Sequence, residues 1–126
     1  MKPKQNRICP SGKSLIFACS GAADVGELSD QAARQLSREG FGKMFCLAGI
    51  GGQVEGIIKG TSSAERILAI DGCALNCTKL CLEKAGFSKM DHMQLSNLGF
   101  EKGKTEISTT TISKVVTTAK AIWAEV

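Results

Sequence analysis

With 126 residues, 43% hydrophobic and 22% charged, the chain has an ordinary globular composition and is too short for two domains. Its net charge of +4 comes from scattered lysines and arginines with no basic stripe interleaved with aromatics, so nothing argues for nucleic-acid binding. No apolar run approaches the length of a membrane span and no signal-type apolar core follows the polar start MKPKQNRICPSGK, so a cytoplasmic protein with no membrane partner is expected.

Residues 1–12 read as a loose leader and 13–126 as a single domain. SLIFACSG (14–21) is a short apolar run ending in small residues, the pattern of a buried strand and a turn. AADVGELSDQAARQLSREG (22–40) sets Val25, Leu28, Ala32 and Leu36 on one helical face and ends at Gly40, a natural helix stop. GKMFCLAGIGG (42–52) reads as a second strand running into glycines. GQVEGIIKG (52–60) then reads as a short helix with Val54, Ile57 and Ile58 facing inward. ERILAIDGC (65–73) predicts a third strand and ALNCTKLCLEKAG (74–86) a helix stopped by Gly86. DHMQLSNLG (91–99) is a weaker strand, and 99–108 a loop. The tail from Ser108 places Ile112, Val115, Val116, Ala119, Ile122 and Trp123 on one helical face.

Apolar strands alternating with amphipathic helices predict an α/β fold. The expectation is a three-layer αβα sandwich on a mainly parallel sheet of about four strands, with Rossmann-like or flavodoxin-like topology.

Six cysteines are many for a chain without an export signal, which favours reduced thiols engaged in metal binding or thiol chemistry. Cys19 falls at the end of the first strand, Cys46 at or near the end of the second, and Cys73 just past the third. In an open parallel sheet these ends share one edge, where ligands bind at the point of strand-order reversal. The three thiols should therefore converge, with Cys19 central if the first strand lies between the other two. Tetrahedral zinc accepts four thiolates at about 2.3 Å. Cys73 and Cys81 would stand roughly 12 Å apart on one helix, too far to share an ion, so Cys77 is the easier fourth ligand. Cys81 is evenly divided between core packing and ligation. The metal candidates are thus Cys19, Cys46, Cys73, Cys77 and Cys81, with zinc as the cofactor and a metal ion as the partner.

Neighbouring residues carry weaker signals. Cys9, in the polar leader, reads as a bystander. His92, the single histidine, reads as a surface or strand-end residue rather than a ligand. Asp24 reads as a cap of the first helix. Asp71 either orients a ligand or accepts N–H bonds in its turn, the commoner role. The small residues after Cys19 and Cys46 suit either a backbone cradle or a tight turn, and neither stretch matches a phosphate loop or a dinucleotide fingerprint.

CSGAADVGELSDQAARQLSREG, MFCLAGIGG, ILAIDGC with its following Cys77, and LSNLGFEKGK resemble the DGC-domain family, zinc-binding proteins named for the motif present here as Asp71-Gly72-Cys73. The similarity spans roughly residues 14–104. It implies a zinc-binding domain whose four cysteines fall on Cys19, Cys46, Cys73 and Cys77, with a biochemical role unassigned (storage, delivery or sensing) and no reaction. Cys81 is outside that pattern.

Two other functions compete with zinc binding. A thiol-dependent enzyme would use Cys19 as a nucleophile at a helix N-terminus. Against it, no arginine follows five residues later to bind a phosphoryl group, and no Cys-x-x-Cys is present. A partner-binding module would use Trp123 as its anchor, although that tryptophan also fits the core face of its helix.

Overall fold

The computed structural model describes residues 13–124, so the leader expected over 1–12, with Cys9, lies outside the described residues. Four parallel strands, β1 (Lys13–Ala18), β2 (Lys43–Met44), β3 (Ala64–Asp71) and β4 (Asp91–Gln94), form one sheet in the order β2-β1-β3-β4. β1 therefore lies between the second and third strands. Its Leu15, Ile16 and Phe17 are fully buried because helices cover both faces.

Strand alternation sorts the core into two layers. Ile16, Ala18, Leu68, Ile70 and Met93 meet α1 (Asp24–Arg38) and α5 (Thr109–Ala124) through Leu28, Ala32, Leu36, Val115, Val116, Ala119 and Trp123. Leu15, Phe17, Ile67 and Ala69 meet α2 (Leu47–Gly51), α3 (Glu55–Ser62) and α4 (Cys77–Lys84) through Ile50 and Leu82, with Phe45, Ile57, Ile58 and Phe87 partly buried around them. This is the three-layer αβα sandwich that the alternating pattern predicts.

Three local expectations are revised. The apolar run at 42–52 is a strand only at Lys43–Met44. Phe45 N–H makes a last bond to the Ile16 carbonyl (2.9 Å), after which the Cys46 carbonyl accepts from Gly49 and Ile50 and the chain turns into α2. An edge strand has one neighbour to hold it, and here local helical bonds win. Val54 does not face inward: it is the residue before α3, 53% exposed, while Ile57 and Ile58 do pack inward. After Gln94 the weak fourth strand becomes a 3-10 turn (Leu95–Leu98), where Ser96 N–H reaches the Gly72 carbonyl (3.1 Å) and Leu95 is fully buried.

Asp24 plays a different part from a cap. Ala23 occupies the capping position of α1 and Asp24 is its first helical residue. The Asp24 carboxylate accepts from Val25 N–H (2.8 Å) and from the Gly103 and Thr105 N–H groups (2.9 Å each), so it pins the 99–108 loop. The Gly103 and Thr105 bonds hold its carboxyl below the usual carboxylate range.

At the N-terminal end of the sheet, Asp91 accepts from Trp123 Nε1 (2.8 Å) and from Arg66 Nη2 (3.3 Å). Arg66 also reaches the Trp123 carbonyl (3.2 Å) and lies 4.7 Å from the centre of its ring. Trp123 is thus a buried core residue with its polar atom satisfied, not an exposed anchor.

Candidate functional site: a thiol-lined cleft at the strand ends

Local chain geometry delivers three cysteines to one edge of the sheet. The Cys19 N–H bonds the Ile70 carbonyl (3.1 Å) and keeps Cys19 in line one residue past β1. Cys46 lies two residues past β2 and heads α2, and Cys73 lies two residues past β3. Cys77 is the first residue of α4 and Cys81 stands one turn later.

A cleft of about 760 Å³ opens at this edge and is lined by Cys19, Cys46, Cys77 and Cys81, together with Ser20, Asp30 and Arg34. Cys73 is not among its lining residues. Cys46 and Cys77 are exposed; Cys19, Cys73 and Cys81 are half-buried. Among the described residues, no three Cys, His, Asp or Glu side chains are already gathered as a metal-holding group. The thiols share a cleft without forming a finished coordination shell. At Cys81 burial, and then the neighbouring Cys77, push the thiol pKa up, and its Sγ lies 4.0 Å from the Leu47 carbonyl.

The rim is polar and internally paired. Ser20 Oγ donates to Asp30 (2.8 Å), and Asp30 accepts from Arg34 Nε (2.7 Å). Burial pushes the Asp30 carboxyl up, but the bonds from Arg34 and Ser20 outweigh it and hold the group below its usual range. Ser20 has φ +47° and Asn76 φ +54°, left-handed conformations that cost a non-glycine residue about 1–2 kcal/mol, less for Asn. These two residues adjoin Cys19 and Cys77. Asn76 Oδ1 is also buried with no hydrogen-bond partner. Costs of this kind collect at functional sites.

Each residue of the Asp-Gly-Cys motif has a separate physical role. Asp71 is buried, and its carboxylate accepts from Thr78 N–H (2.7 Å) and Lys79 N–H (3.1 Å), two free donors in the first turn of α4. The turn role expected for Asp71 is therefore present, although the donors lie seven and eight residues ahead. A Cβ on Gly72 would stand 2.7 Å from the Val25 carbonyl carbon and oxygen, so only a hydrogen fits where the end of β3 passes α1. Cys73 begins the turn that Asn76 N–H closes on its carbonyl (3.1 Å).

Two residues at this edge escape sequence reasoning. His92 Nε2 lies 2.9 Å from Asp71 Oδ2, a contact created by the register that pairs Ala69 of β3 with His92 of β4. His92 is at a strand, as expected, but its partner has no sequence signal. Arg34 follows Asp30 at helical spacing, so their ion pair is legible in the sequence. Its place in the cleft that Cys19 lines follows only from how α1 lies on the sheet.

A family model described as DGC domain matches residues 15–119. The "Anaerobic and virulence modulator AnvM" of Pseudomonas aeruginosa is 39% identical over 88 residues, which cover 70% of this chain and 67% of that protein. No solved structure matches the chain. Among the described residues, no helix is long and apolar enough to cross a membrane.

Proposed function

The chain belongs to the DGC domain family, and from that premise we propose that it is a zinc-binding protein whose cleft thiols take one ion at the C-terminal edge of the sheet. The observation that carries this reading is the lining of one cleft by four cysteines from three separate segments, Cys19, Cys46, and the pair Cys77 and Cys81. The donor set fits in chemistry and number, because thiolates are the softest protein ligands and tetrahedral zinc takes four. Cys19, Cys46 and Cys77 are common to every assignment. Cys81 is the fourth in the cleft, and Cys73 is the fourth by the Asp-Gly-Cys motif.

Bound zinc would convert the thiols to thiolates and, with four of them, leave no open position for a substrate. The protein's own residues do the rest. Asp71 fixes the first turn of α4 and thereby the carriers of Cys77 and Cys81. Arg34 places a cation at the rim of a site that becomes net anionic when loaded. The Pseudomonas relative is named an anaerobic and virulence modulator. A thiolate-held ion suits such a role, since oxidation of its ligands releases it. Sensing is therefore favoured over storage or delivery.

Elemental analysis of anaerobically purified protein tests the reading. About one zinc per chain is expected for one tetrahedral site. It should be lost in Cys19→Ser, Cys46→Ser and Cys77→Ser, and the pair Cys73→Ser and Cys81→Ser identifies the fourth ligand. No zinc, with every thiol freely titratable, overturns it.

A second reading, a thiol enzyme using Cys19, gains one specific observation: Arg34, paired through its Nε with Asp30, lines the same cleft and puts a guanidinium there that the local sequence after Cys19 lacks. If Cys19→Ser abolished a turnover while metal content stayed unchanged, this reading would replace the first.

A further inference from the structure

α4 carries two cleft thiols, yet its N-terminus is anchored from elsewhere. Asn76 occupies the capping position in a left-handed conformation, and its side chain makes no capping bond. The work falls to Asp71, whose Oδ1 accepts from Thr78 N–H (2.7 Å) and whose Oδ2 accepts from Lys79 N–H (3.1 Å). Thr78 adds a bond from its hydroxyl to the Ile70 carbonyl (3.2 Å). Asp71 is only 1% exposed, so its carboxylate has no water to turn to if a partner leaves. Its other protein partner is His92 Nε2, 2.9 Å from Oδ2. A continuous line of bonds thus runs from β4 through His92 and Asp71 to the residues that lie between Cys77 and Cys81.

We infer that His92 is a positioning residue for the thiol cleft. It sets the plane of the Asp71 carboxylate, and that plane sets the rotation and height of the first turn of α4. Cys77 is rigidly coupled to this turn because its neighbour Thr78 is bonded twice to the end of β3. Cys46, at the head of α2, has no bond in the line, and Cys19, one residue past β1, meets it only at the Ile70 carbonyl, which its N–H shares with the Thr78 hydroxyl. Loss of the His92 bond should therefore change Cys77 and Cys81 relative to Cys19 and Cys46, rather than loosen all four together. What the thiols hold rests on the zinc reading above; the positioning does not.

The test uses reduced, metal-free full-length protein alkylated with iodoacetamide under native conditions, with each cysteine followed by peptide mass. His92→Leu removes the bond, and His92→Asn is polar but too short to reach Asp71. His92→Gln restores a donor near the Nε2 position. Val116→Ala, in the core on the opposite face, controls for general destabilisation. In His92→Leu and His92→Asn the ratio of Cys77 to Cys19 alkylation rates should change about threefold or more, with His92→Gln returning it toward wild type and Val116→Ala leaving it alone. An unchanged ratio in whichever of the first two folds, or an equal change in Val116→Ala, overturns the inference. In a parallel arm cobalt(II) is titrated into each protein. The His92→Leu complex should show a shifted visible spectrum and affinity weaker by roughly tenfold, the scale of outer-sphere effects on metal sites. Failure of the wild type to bind cobalt or zinc would sink the zinc reading alone, and the alkylation ratio would still decide the role of His92.

Discussion

The two ends of the sheet are built on opposite terms. At the N-terminal end Arg66, Asp91 and Trp123 satisfy one another with two side-chain bonds to Asp91, a bond to a carbonyl and a cation over a ring. At the C-terminal end four thiols face a cleft, Ser20 and Asn76 sit in left-handed conformations, and one buried amide oxygen has no partner. The first end is closed and gains stability. The second keeps its donors open and tolerates strain, as an edge reserved for ligands does. The lesson is that a 126-residue fold can separate the two roles by chain direction alone. Parallel strands send every C-terminal turn to one side, and α5 returns its tryptophan to the other.

The contrast can be broken or sharpened by experiment. Trp123→Ala should have the largest effect, a loss of about 3–5 kcal/mol in urea unfolding, because a buried indole and the Asp91 bond go together. Yet the cleft thiols of the folded protein should alkylate in their wild-type order; a reordering would show that the two ends are coupled.

Gly72→Ala comes next, at roughly 1–3 kcal/mol, since its Cβ would meet the Val25 backbone at 2.7 Å. Gly21→Ala, with nothing within 4 Å of its Cβ, serves as the control and should be near neutral in the same unfolding series. Equal costs would show that the close approach is not what the motif glycine protects. Asp91→Ala should lose roughly 1–2 kcal/mol by leaving Trp123 Nε1 and Arg66 Nη2 without their shared acceptor, and thermal melts should show it. A neutral result would remove the closed end from the comparison.

The smallest effect is acid release of the 99–108 loop. Asp24 has a folded pKa below its unfolded value, so its contribution is present above about pH 4 and is lost as pH falls through the lower folded pKa. Amide exchange at Gly103 and Thr105, corrected for its intrinsic pH dependence, should lose protection in that window. In Asp24→Ala the protection should already be low and insensitive to acid over the same range. Protection unchanged in the variant would free the loop from Asp24.

Much of this molecule was decided locally. Alternating apolar runs are enough to specify the αβα sandwich, because a strand flanked by amphipathic helices on both sides has to bury both faces. The same runs place Cys19, Cys46 and Cys73 just past strand ends, and the order of chemistry-bearing motifs is legible enough to identify the family. Other features depend on elements that meet only in space. Edge-strand pairing decides that β2 stops at Met44 and that Cys46 heads a helix. The β3–β4 register brings His92 to Asp71, and the packing of α1 on the sheet brings Arg34 to the cleft that Cys19 lines. Sequence thus determined which thiols reach the edge, since strand direction is a one-dimensional property. Tertiary structure alone decided which of them face one cleft, since that depends on side-chain direction across three separate crossovers.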